Sequence, residues 1–194
     1  MKLNIGCGHS VETGWVGIDN NPHFVAAICR AGGDARCHDA RVRMPFPDGS
    51  IEAIYTEDMI EHLARQEAFA FLRDCRRLLT PDGVLIVSTP DLRRLAAQYL
   101  SGEIIDVVRP HNENTRFTAD TGTTPDGHFS LLHAAEAFNS TFYWSGHRWL
   151  YDAAYLDDVL RRAGFRFVAV LDAPKSAFAH MIRRPDNLIM RACP

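Results

Sequence analysis

Residues 3–22, LNIGCGHSVETGWVGIDNNP, decide which fold this chain can adopt. An apolar run ends at Gly6-Cys7-Gly8, and a second apolar run ends at the acid Asp19. Glycines after a strand let the backbone approach a ligand closely, because they carry no Cβ. An acid at the end of the neighbouring strand is well placed to accept hydrogen bonds from ribose hydroxyls. The stretch therefore predicts a nucleotide-type pocket at the ends of two strands.

The spacing within this stretch argues against a dinucleotide. A dinucleotide-binding fingerprint reads GxGxxG and is followed by an acid about 20 residues later. Here position 11 is Val, and Asp19 follows Gly6 by only 13 positions. A cofactor without a pyrophosphate needs no helix N-terminus aimed at phosphate charge. The loop thus favours a nucleoside cofactor without a pyrophosphate over a nicotinamide dinucleotide.

The composition limits the class of protein. The 194 residues, 46% of them hydrophobic, can bury one sizeable core, so we expect a single domain, 1–194. The net charge of −3 without a basic block disfavours a nucleic-acid binder and favours a small-molecule substrate. Five cysteines without a CxxC pair indicate a reducing compartment, and no apolar run approaches the roughly 18 residues of a membrane span. We therefore expect a cytoplasmic protein outside the membrane; the sequence leaves its oligomeric state open.

Short β-branched runs alternate with helical patterns, which is typical of an α/β fold around a mostly parallel sheet. Strands are predicted at 2–6, 16–19, 35–39, 51–56, 83–88, 165–171 and 187–192. The clearest helix is predicted at 57–79, and a second helical pattern at 154–163 ends before Gly164. Residues 101–146 are irregular in pattern and too long for an ordinary connection, so we expect an inserted lid or substrate region at about 101–148.

The connection between the first two predicted strands is short. Only nine residues, 7–15, join them, whereas a parallel crossover usually needs a dozen or more. Residues 11–14 show no apolar periodicity, and Gly14 would weaken a helix by about 1 kcal/mol relative to alanine. We therefore predict an open loop where such folds usually place a helix.

In their order, these motifs resemble those of the class I S-adenosylmethionine-dependent methyltransferase family, over about three quarters of the chain. Besides the glycine loop, the stretches that carry the resemblance are HDARVRMPFPDGSIEAIYTEDMIEHL, RRLLTPDGVLIVSTP and LDDVLRRAGF. Within the family the chain is most similar to short bacterial members with a shortened glycine loop. The resemblance implies a Rossmann-like, doubly wound sheet of seven strands with the last strand antiparallel. It also implies S-adenosylmethionine as the cofactor and methyl transfer to an acceptor that these motifs do not identify.

The resemblance further implies which residues hold the cofactor. They follow the first four strands: Gly6, Cys7, Gly8, Asp19, Asn20, Asp39, Ala40, Thr56 and Glu57. In this arrangement the glycine loop lines the methionine and ribose side, Asp19 takes the ribose hydroxyls, and Asp39 with Ala40 faces the adenine edge. Thr56 and Glu57 border the methyl group.

Acceptor and catalytic residues rest on weaker patterns. His147 is the candidate base, because histidine titrates near neutrality, and Arg148 beside it is suited to an anionic acceptor. Candidate substrate-binding residues are His62, His111, His128 and Arg148. The histidines fit a packing role equally, and none pairs at HxxxH or HxH spacing, so no metal site is predicted.

Some alternatives stay open at this point. Cys7, between two glycines, is expected to fill space rather than act as a nucleophile. The aromatic stretch FYWSGHRWLYD fits either a hydrophobic plug or a surface for a sugar or planar acidic substrate. For the whole protein, the alternatives to a methyltransferase are a module that binds the cofactor without methyl transfer and a nicotinamide-dependent oxidoreductase.

Overall fold

The structure is a computed structural model that describes residues 1–105, 133–143, 146–172 and 176–194. Its strands are β1 (Lys2–Ile5), β2 (Val16–Asp19), β3 (Asp34–Cys37), β4 (Ile51–Glu57), β5 (Leu79–Thr89), β6 (Phe167–Val170) and β7 (Leu188–Cys193). Its α-helices are α1 (Pro22–Arg30), α2 (Arg65–Leu78), α3 (Leu92–Ser101), α4 (Ala134–Tyr143) and α5 (Ala153–Arg162). Among the helices in this described part of the chain, none is long and apolar enough to cross a bilayer.

The strands form one seven-stranded sheet in the order β3-β2-β1-β4-β5-β7-β6. β1 to β5 run parallel, and β7 is antiparallel to both β5 and β6. This confirms the predicted Rossmann-like α/β fold with its last strand antiparallel. The order reverses between β1 and β4, and ligands of open α/β sheets bind at such a switch point, outside the carboxyl ends of the strands.

The largest core lies between the sheet and the helices α2 and α5. α2 buries one stripe, Ala68, Phe71, Leu72, Cys75 and Leu78, and α5 buries Leu156, Val159 and Leu160. Both stripes have the three- and four-residue spacing that the sequence predicts. α5 begins where the Asp152 carboxylate accepts a hydrogen bond from the Tyr155 N–H at 2.8 Å, and it ends before Gly164, whose φ of 107° suits glycine.

The helix predicted at 57–79 is wrong at its start. β4 continues through Glu57, which still pairs with β5, and Asp58 then takes a left-handed backbone with φ 50°. A short 3-10 turn, Ile60–His62, follows, and α2 begins only at Arg65. The apolar spacing indicated a longer helix because the buried residues of the turn join the same core as the helix. Burial of these residues was therefore predicted correctly, but their conformation was not.

By their contacts the residues divide into two compact units. Residues 1–91 with 149–194 form the first, which contains the whole sheet and which we call the sheet unit. Residues 92–148 form the second, which we call the helical unit and which contains α3 and α4. Within it Ile104 and Ala137 are buried against Leu95 and Phe138.

The expectation of an irregular stretch at 101–146 is wrong at 134–143, where AAEAFNSTFY forms α4. Its asparagine, serine and threonine look like loop residues. In the structure Asn139 donates to the Ala135 carbonyl at 2.8 Å, and the Ser140 hydroxyl donates to the Ala137 carbonyl at 2.6 Å. These side chains bond to the preceding turn of their own helix, so they do not interrupt it.

Residues 7–15 cross from β1 to β2 without a helix, as predicted. A segment from the C-terminal part of the chain, residues 176–187, covers the sheet beside this loop, and we call it the strap. Its Phe178, Met181 and Ile182 pack in one cluster with Trp15, Ala53, Tyr55, Ile86 and Ile189. The Tyr55 hydroxyl also donates a hydrogen bond to the Met181 carbonyl at 3.1 Å. The strap thus buries strand residues on the side where a crossover helix would normally pack.

Candidate functional site

The predicted cofactor residues follow four parallel strands of the sheet unit. Gly6 comes directly after β1, Asp19 ends β2, Asp39 comes shortly after β3, and Glu57 ends β4. These strands are neighbours in the order β3-β2-β1-β4. Because parallel strands end at the same edge, four separated sequence motifs form one row along the carboxyl edge of the sheet.

Asp19 links the ends of β1 and β2. Its Oδ2 accepts a hydrogen bond from the Gly8 N–H at 2.9 Å, and its Oδ1 accepts one from the Asn21 N–H at 2.8 Å. These two bonds fix the orientation of the half-buried carboxylate. An ionised carboxylate offers about four acceptor positions, so about two remain for hydroxyl groups of a ligand. Asn20, the neighbouring predicted residue, is exposed.

The two glycines of the loop differ in what surrounds them. Both have positive φ, 73° at Gly6 and 58° at Gly8. A Cβ on Gly6 would lie 2.6 Å from Cγ of Met59, so the loop packs too closely there for any side chain. A Cβ on Gly8 would meet nothing within 4 Å. The backbone of Gly8 therefore borders open space beside the Asp19 carboxylate.

Cys7, between these glycines, fills space as expected. Its side chain is buried, and a Cβ added to Gly17 would lie 2.8 Å from its Sγ. Burial, and secondarily the charge of Asp19, raises the pKa of the Cys7 thiol to about 11. A thiol that stays protonated at neutral pH is a poor nucleophile. Since the thiol faces the protein interior, Cys7 offers a ligand its backbone.

At the β3 end, Asp39 is engaged with Arg41. The Arg41 guanidinium donates to both carboxylate oxygens, with Nη2 to Oδ2 at 2.6 Å, and the Arg41 N–H donates to Oδ1 at 2.9 Å. Hydrogen bonds from Arg41 lower the pKa of Asp39. Ala40, between them, is half-buried. The planar, bidentate Arg41–Asp39 pair lies at the end of the row that the resemblance assigns to adenine.

At the β4 end, the Glu57 side chain is fully buried and paired with the strap. Its Oε2 accepts a hydrogen bond from Arg183 Nε at 2.7 Å, and its Oε1 accepts the N–H groups of Arg183 and Arg184, both at 3.0 Å. The preceding residue, Thr56, is buried, and its hydroxyl has no hydrogen-bond partner in the described part of the chain. The predicted methyl-side residues are thus one carboxylate bound to the strap and one buried hydroxyl.

Sequence reasoning missed two acids just after β4. Asp58 has the one positive φ of any non-glycine residue described, 50°, and its Oδ1 accepts from Asn187 Nδ2 at 2.7 Å. Glu61 is fully buried, and its Oε2 accepts the Thr89 hydroxyl at 2.9 Å. Burial chiefly raises the pKa of Glu61 to about 8, and the nearby charge of Asp58 adds to this. Both acids lie in TEDMIEHL at the end of the predicted strand 51–56, so the sequence could have indicated that they lie near the carboxyl edge of the sheet.

The predicted acceptor residues fall in different places. His62 is exposed and ends the 3-10 turn of the sheet unit. His147 is half-buried and Arg148 is exposed, and both belong to the helical unit. His111 and His128 lie outside the described residues. The roles assigned to these four histidines and to Arg148 remain predictions.

The aromatic stretch contains one buried and one partly exposed ring in the sheet unit. Tyr151 is buried and stacks on Tyr155 with ring centroids 5.7 Å apart, so it anchors the stretch to the sheet unit. Trp149 is 37% exposed, and the Arg65 guanidinium lies over its ring at 5.9 Å. A cavity of about 160 Å³ is lined by Arg65, Gln66, Phe69, Tyr151, Tyr155, Val159 and Arg162.

Residues 3–87 match the model of a family described as "Methyltransferase domain". This span contains β1 to β4, α2 and most of β5, and hence every predicted cofactor residue. Over these residues the chain is similar to methyltransferase domains, and its sheet has the Rossmann-like methyltransferase fold. Members of this family use S-adenosylmethionine as the methyl donor.

Curated relatives match over short stretches. A probable S-adenosylmethionine-dependent methyltransferase of Mycolicibacterium smegmatis is 39% identical over 54 residues, 28% of this chain and 20% of the relative. A protein of the same description from Mycobacterium tuberculosis is 42% identical over 48 residues, 25% of this chain and 17% of the relative. The matched stretches thus span about a fifth of the length of these curated relatives.

Solved structures share the fold over the whole chain. An S-adenosylmethionine-dependent methyltransferase from Archaeoglobus fulgidus has a TM-score of 0.58 at 14% identity, over 100% of this chain and 85% of that one. A methyltransferase from Thermotoga maritima, described as a possible histamine N-methyltransferase, has a TM-score of 0.59 at 15% identity, over 99% and 81%. At these identities the likeness concerns the fold alone.

Proposed function

We propose that this protein binds S-adenosylmethionine along the carboxyl edge of β3-β2-β1-β4 and transfers its methyl group to a small-molecule or saccharide-like acceptor. In this reaction the bond from the methyl carbon to sulfur breaks, and a bond to an O, N or C atom of the acceptor forms. The acceptor loses a proton, and S-adenosylhomocysteine remains. The match of residues 3–87 to a methyltransferase domain supports the reaction class. The observation that carries the assignment is the Asp19 carboxylate, which Gly8 orients beside open space at the backbone.

The residues of the site fit such a cofactor. Asp19 is held with acceptor positions left for two ribose hydroxyls. The space in front of Gly8 admits a ligand close to the backbone. The Thr56 hydroxyl is a further buried polar group, with no hydrogen-bond partner among the described residues, and such groups normally find one. A nicotinamide dinucleotide fits less well, because no helix begins in the glycine loop to face a pyrophosphate.

The cofactor supplies a methyl group already activated by the sulfonium charge. The work left to the chain is to align the acceptor atom with the methyl group, to exclude water and, where needed, to accept a proton. For that proton we propose His147 as the base, on the sequence argument. That the acceptor is a small molecule and that the protein is cytoplasmic are both inferred from the net charge and the composition alone.

A saccharide-like acceptor is supported by the aromatic and cationic surface of the sheet unit. Trp149 is partly exposed under Arg65, and the 160 Å³ cavity beside it has tyrosine, phenylalanine and arginine walls. Aromatic faces with a few polar groups suit sugars and planar acids. The cavity is lined by residues of α2 and α5, and two of them, Arg65 and Gln66, lie in the first turn of α2, which follows β4.

The proposal is tested first by ligand binding. A thermal-shift series with S-adenosylmethionine, S-adenosylhomocysteine, NAD and NADP should raise the Tm with the first two and leave it unchanged with the others, because a ligand stabilises only the state that binds it. A shift with NAD or NADP alone would support the oxidoreductase instead. Release of S-adenosylhomocysteine with a panel of sugars, aromatic acids and amines then separates an enzyme from a binding module. Asp19→Ala serves as the inactive control.

A further inference from the structure

The strap places a cation at the end of the cofactor row. β7 runs antiparallel to β5, with Leu188 paired to Thr89, so the residues before β7 lie at the carboxyl edge of the parallel strands. The last residues of the strap are bonded to that edge: Arg183 to Glu57, and Asn187 to Asp58 and to Ser88 Oγ at 3.2 Å. Three separate contacts therefore hold this end of the strap against β4 and β5.

The position of Arg183 relative to the glycine loop follows from register. Ile5 of β1 pairs with Thr56 of β4, which puts Gly6 level with Glu57, the partner of Arg183. The positive charge of Arg183 also lowers the pKa of the Cys7 thiol, and it thereby opposes burial, which raises that pKa. The guanidinium thus lies beside the first turn of the glycine loop, on the β4 side of it.

Arg183 keeps binding capacity in this position. Its Nε is used by Glu57, while its two Nη nitrogens donate no hydrogen bond to any residue that the structure describes. Its side chain is 53% exposed, although its carboxylate partner is fully buried. Glu57 also accepts the backbone N–H of Arg183, so the orientation of the side chain is fixed at both ends. A guanidinium that is held by its Nε can still donate a pair of hydrogen bonds from its two Nη groups to a carboxylate.

We infer that Arg183 binds the α-carboxylate of the methionine part of the cofactor, an assignment that rests on the proposed function. Along the row β3-β2-β1-β4 the resemblance assigns adenine to Asp39, ribose to Asp19 and the methionine side to the glycine loop. The next position on that line is Arg183. A cation with a fixed orientation therefore lies beside the half of the cofactor that carries the carboxylate.

The test compares two ligands that differ only in this group. Calorimetry measures the affinity of wild type and Arg183→Gln for S-adenosylhomocysteine and for its decarboxylated form, in which hydrogen replaces the carboxylate. Arg183→Gln should weaken S-adenosylhomocysteine at least tenfold and the decarboxylated ligand less than twofold, since a charged hydrogen bond is worth about one power of ten or more. Arg161→Gln, which removes another Nε–carboxylate pair of 2.7 Å on α5, is the control and should change neither affinity.

Each other outcome is informative. Equal weakening of both ligands, or unchanged affinity for S-adenosylhomocysteine, overturns the inference; in the second case a change in the KM for an acceptor would assign Arg183 to the acceptor instead. If Arg183→Gln does not fold, Arg183→Lys keeps the charge and should weaken S-adenosylhomocysteine selectively. A wild type that binds S-adenosylhomocysteine no better than its decarboxylated form also refutes the inference while leaving the proposed function intact. A wild type that binds neither ligand refutes the proposed function itself.

Discussion

The Asp19 carboxylate accepts a hydrogen bond from the backbone N–H of Gly8 at 2.9 Å, across the ends of β2 and β1. The acid that is predicted to bind the ribose therefore also closes the glycine loop. A single side chain thus couples the shape of the loop to the proposed ribose site. Substitution of Asp19 should therefore affect both the loop and the ligand.

Replacement of Asp19 by alanine should weaken S-adenosylhomocysteine binding at least tenfold. The variant loses the acceptor for two ribose hydroxyls, worth about 1.5–3 kcal/mol per charged bond, and it also frees the N–H groups that Asp19 holds. Calorimetry measures the affinity, and circular dichroism checks the fold. Asp34→Ala, an exposed acid at the opposite end of the neighbouring strand, is the matched control. Unchanged affinity in Asp19→Ala would remove this residue from the site.

Alanine at the two loop glycines should have opposite effects. Gly6→Ala should prevent stable folding or lower the Tm sharply, because its Cβ would lie 2.6 Å from Met59. Gly8→Ala should cost only the backbone strain of about 1–2 kcal/mol at positive φ but should weaken cofactor binding, since its Cβ enters the open space beside Asp19. Gly14→Ala is the control, with φ 83° and open surroundings away from the row. An affinity loss in Gly14→Ala equal to that in Gly8→Ala would contradict the assignment.

Glu61 should make the stability of the protein fall as pH rises. Its folded pKa of about 8 lies above the 4.5 of an ordinary glutamate, so between these values the folded state holds a proton that the unfolded chain has released. Stability is therefore fully present below about pH 4.5 and decreases through pH 8. Glu61→Gln keeps an acceptor for the Thr89 hydroxyl but cannot ionise. The Tm of Glu61→Gln minus that of wild type should be larger at pH 9 than at pH 5. The exposed Glu12→Gln is the control, and its Tm difference from wild type should not change in this way. Parallel Tm curves for Glu61→Gln and wild type would contradict the raised pKa.

The strap should be an integral part of the core of the sheet unit. Met181 is 8% exposed and packs in the cluster of Trp15 and Tyr55, so Met181→Ala should destabilise the protein by about 2–5 kcal/mol. Denaturant unfolding measures this loss. Val170→Ala, at a position 60% exposed on the edge strand β6, should cost less than about 0.5 kcal/mol. If both variants had the same stability, the strap would be a surface segment and its Arg183 would lack a rigid support.

Local patterns predicted most of the sheet. Each strand shows β-branched or apolar residues bounded by glycine, proline or an acid, and β2 was predicted with its observed ends. The absence of a helix at 7–15 was equally local, because nine residues with a glycine near the end cannot form a crossover helix and return to the sheet. The boundary between β4 and α2 could not be predicted from local patterns, because the pairing of Glu57 with β5 competes with helix formation.

The sequence by itself determined the fold family, the glycine loop and the acid Asp19, because these depend on residues close to one another along the chain. Only the tertiary structure decided what closes the methionine end of the row. Arg183 and Glu57 are 126 positions apart, and an ion pair between them leaves no periodic or compositional signal. The same holds for the strap, whose apolar residues acquire their role only when the short loop leaves one face of the sheet to be buried. Long-range pairing of charge and of apolar surface is set by packing in three dimensions, which local propensity does not encode.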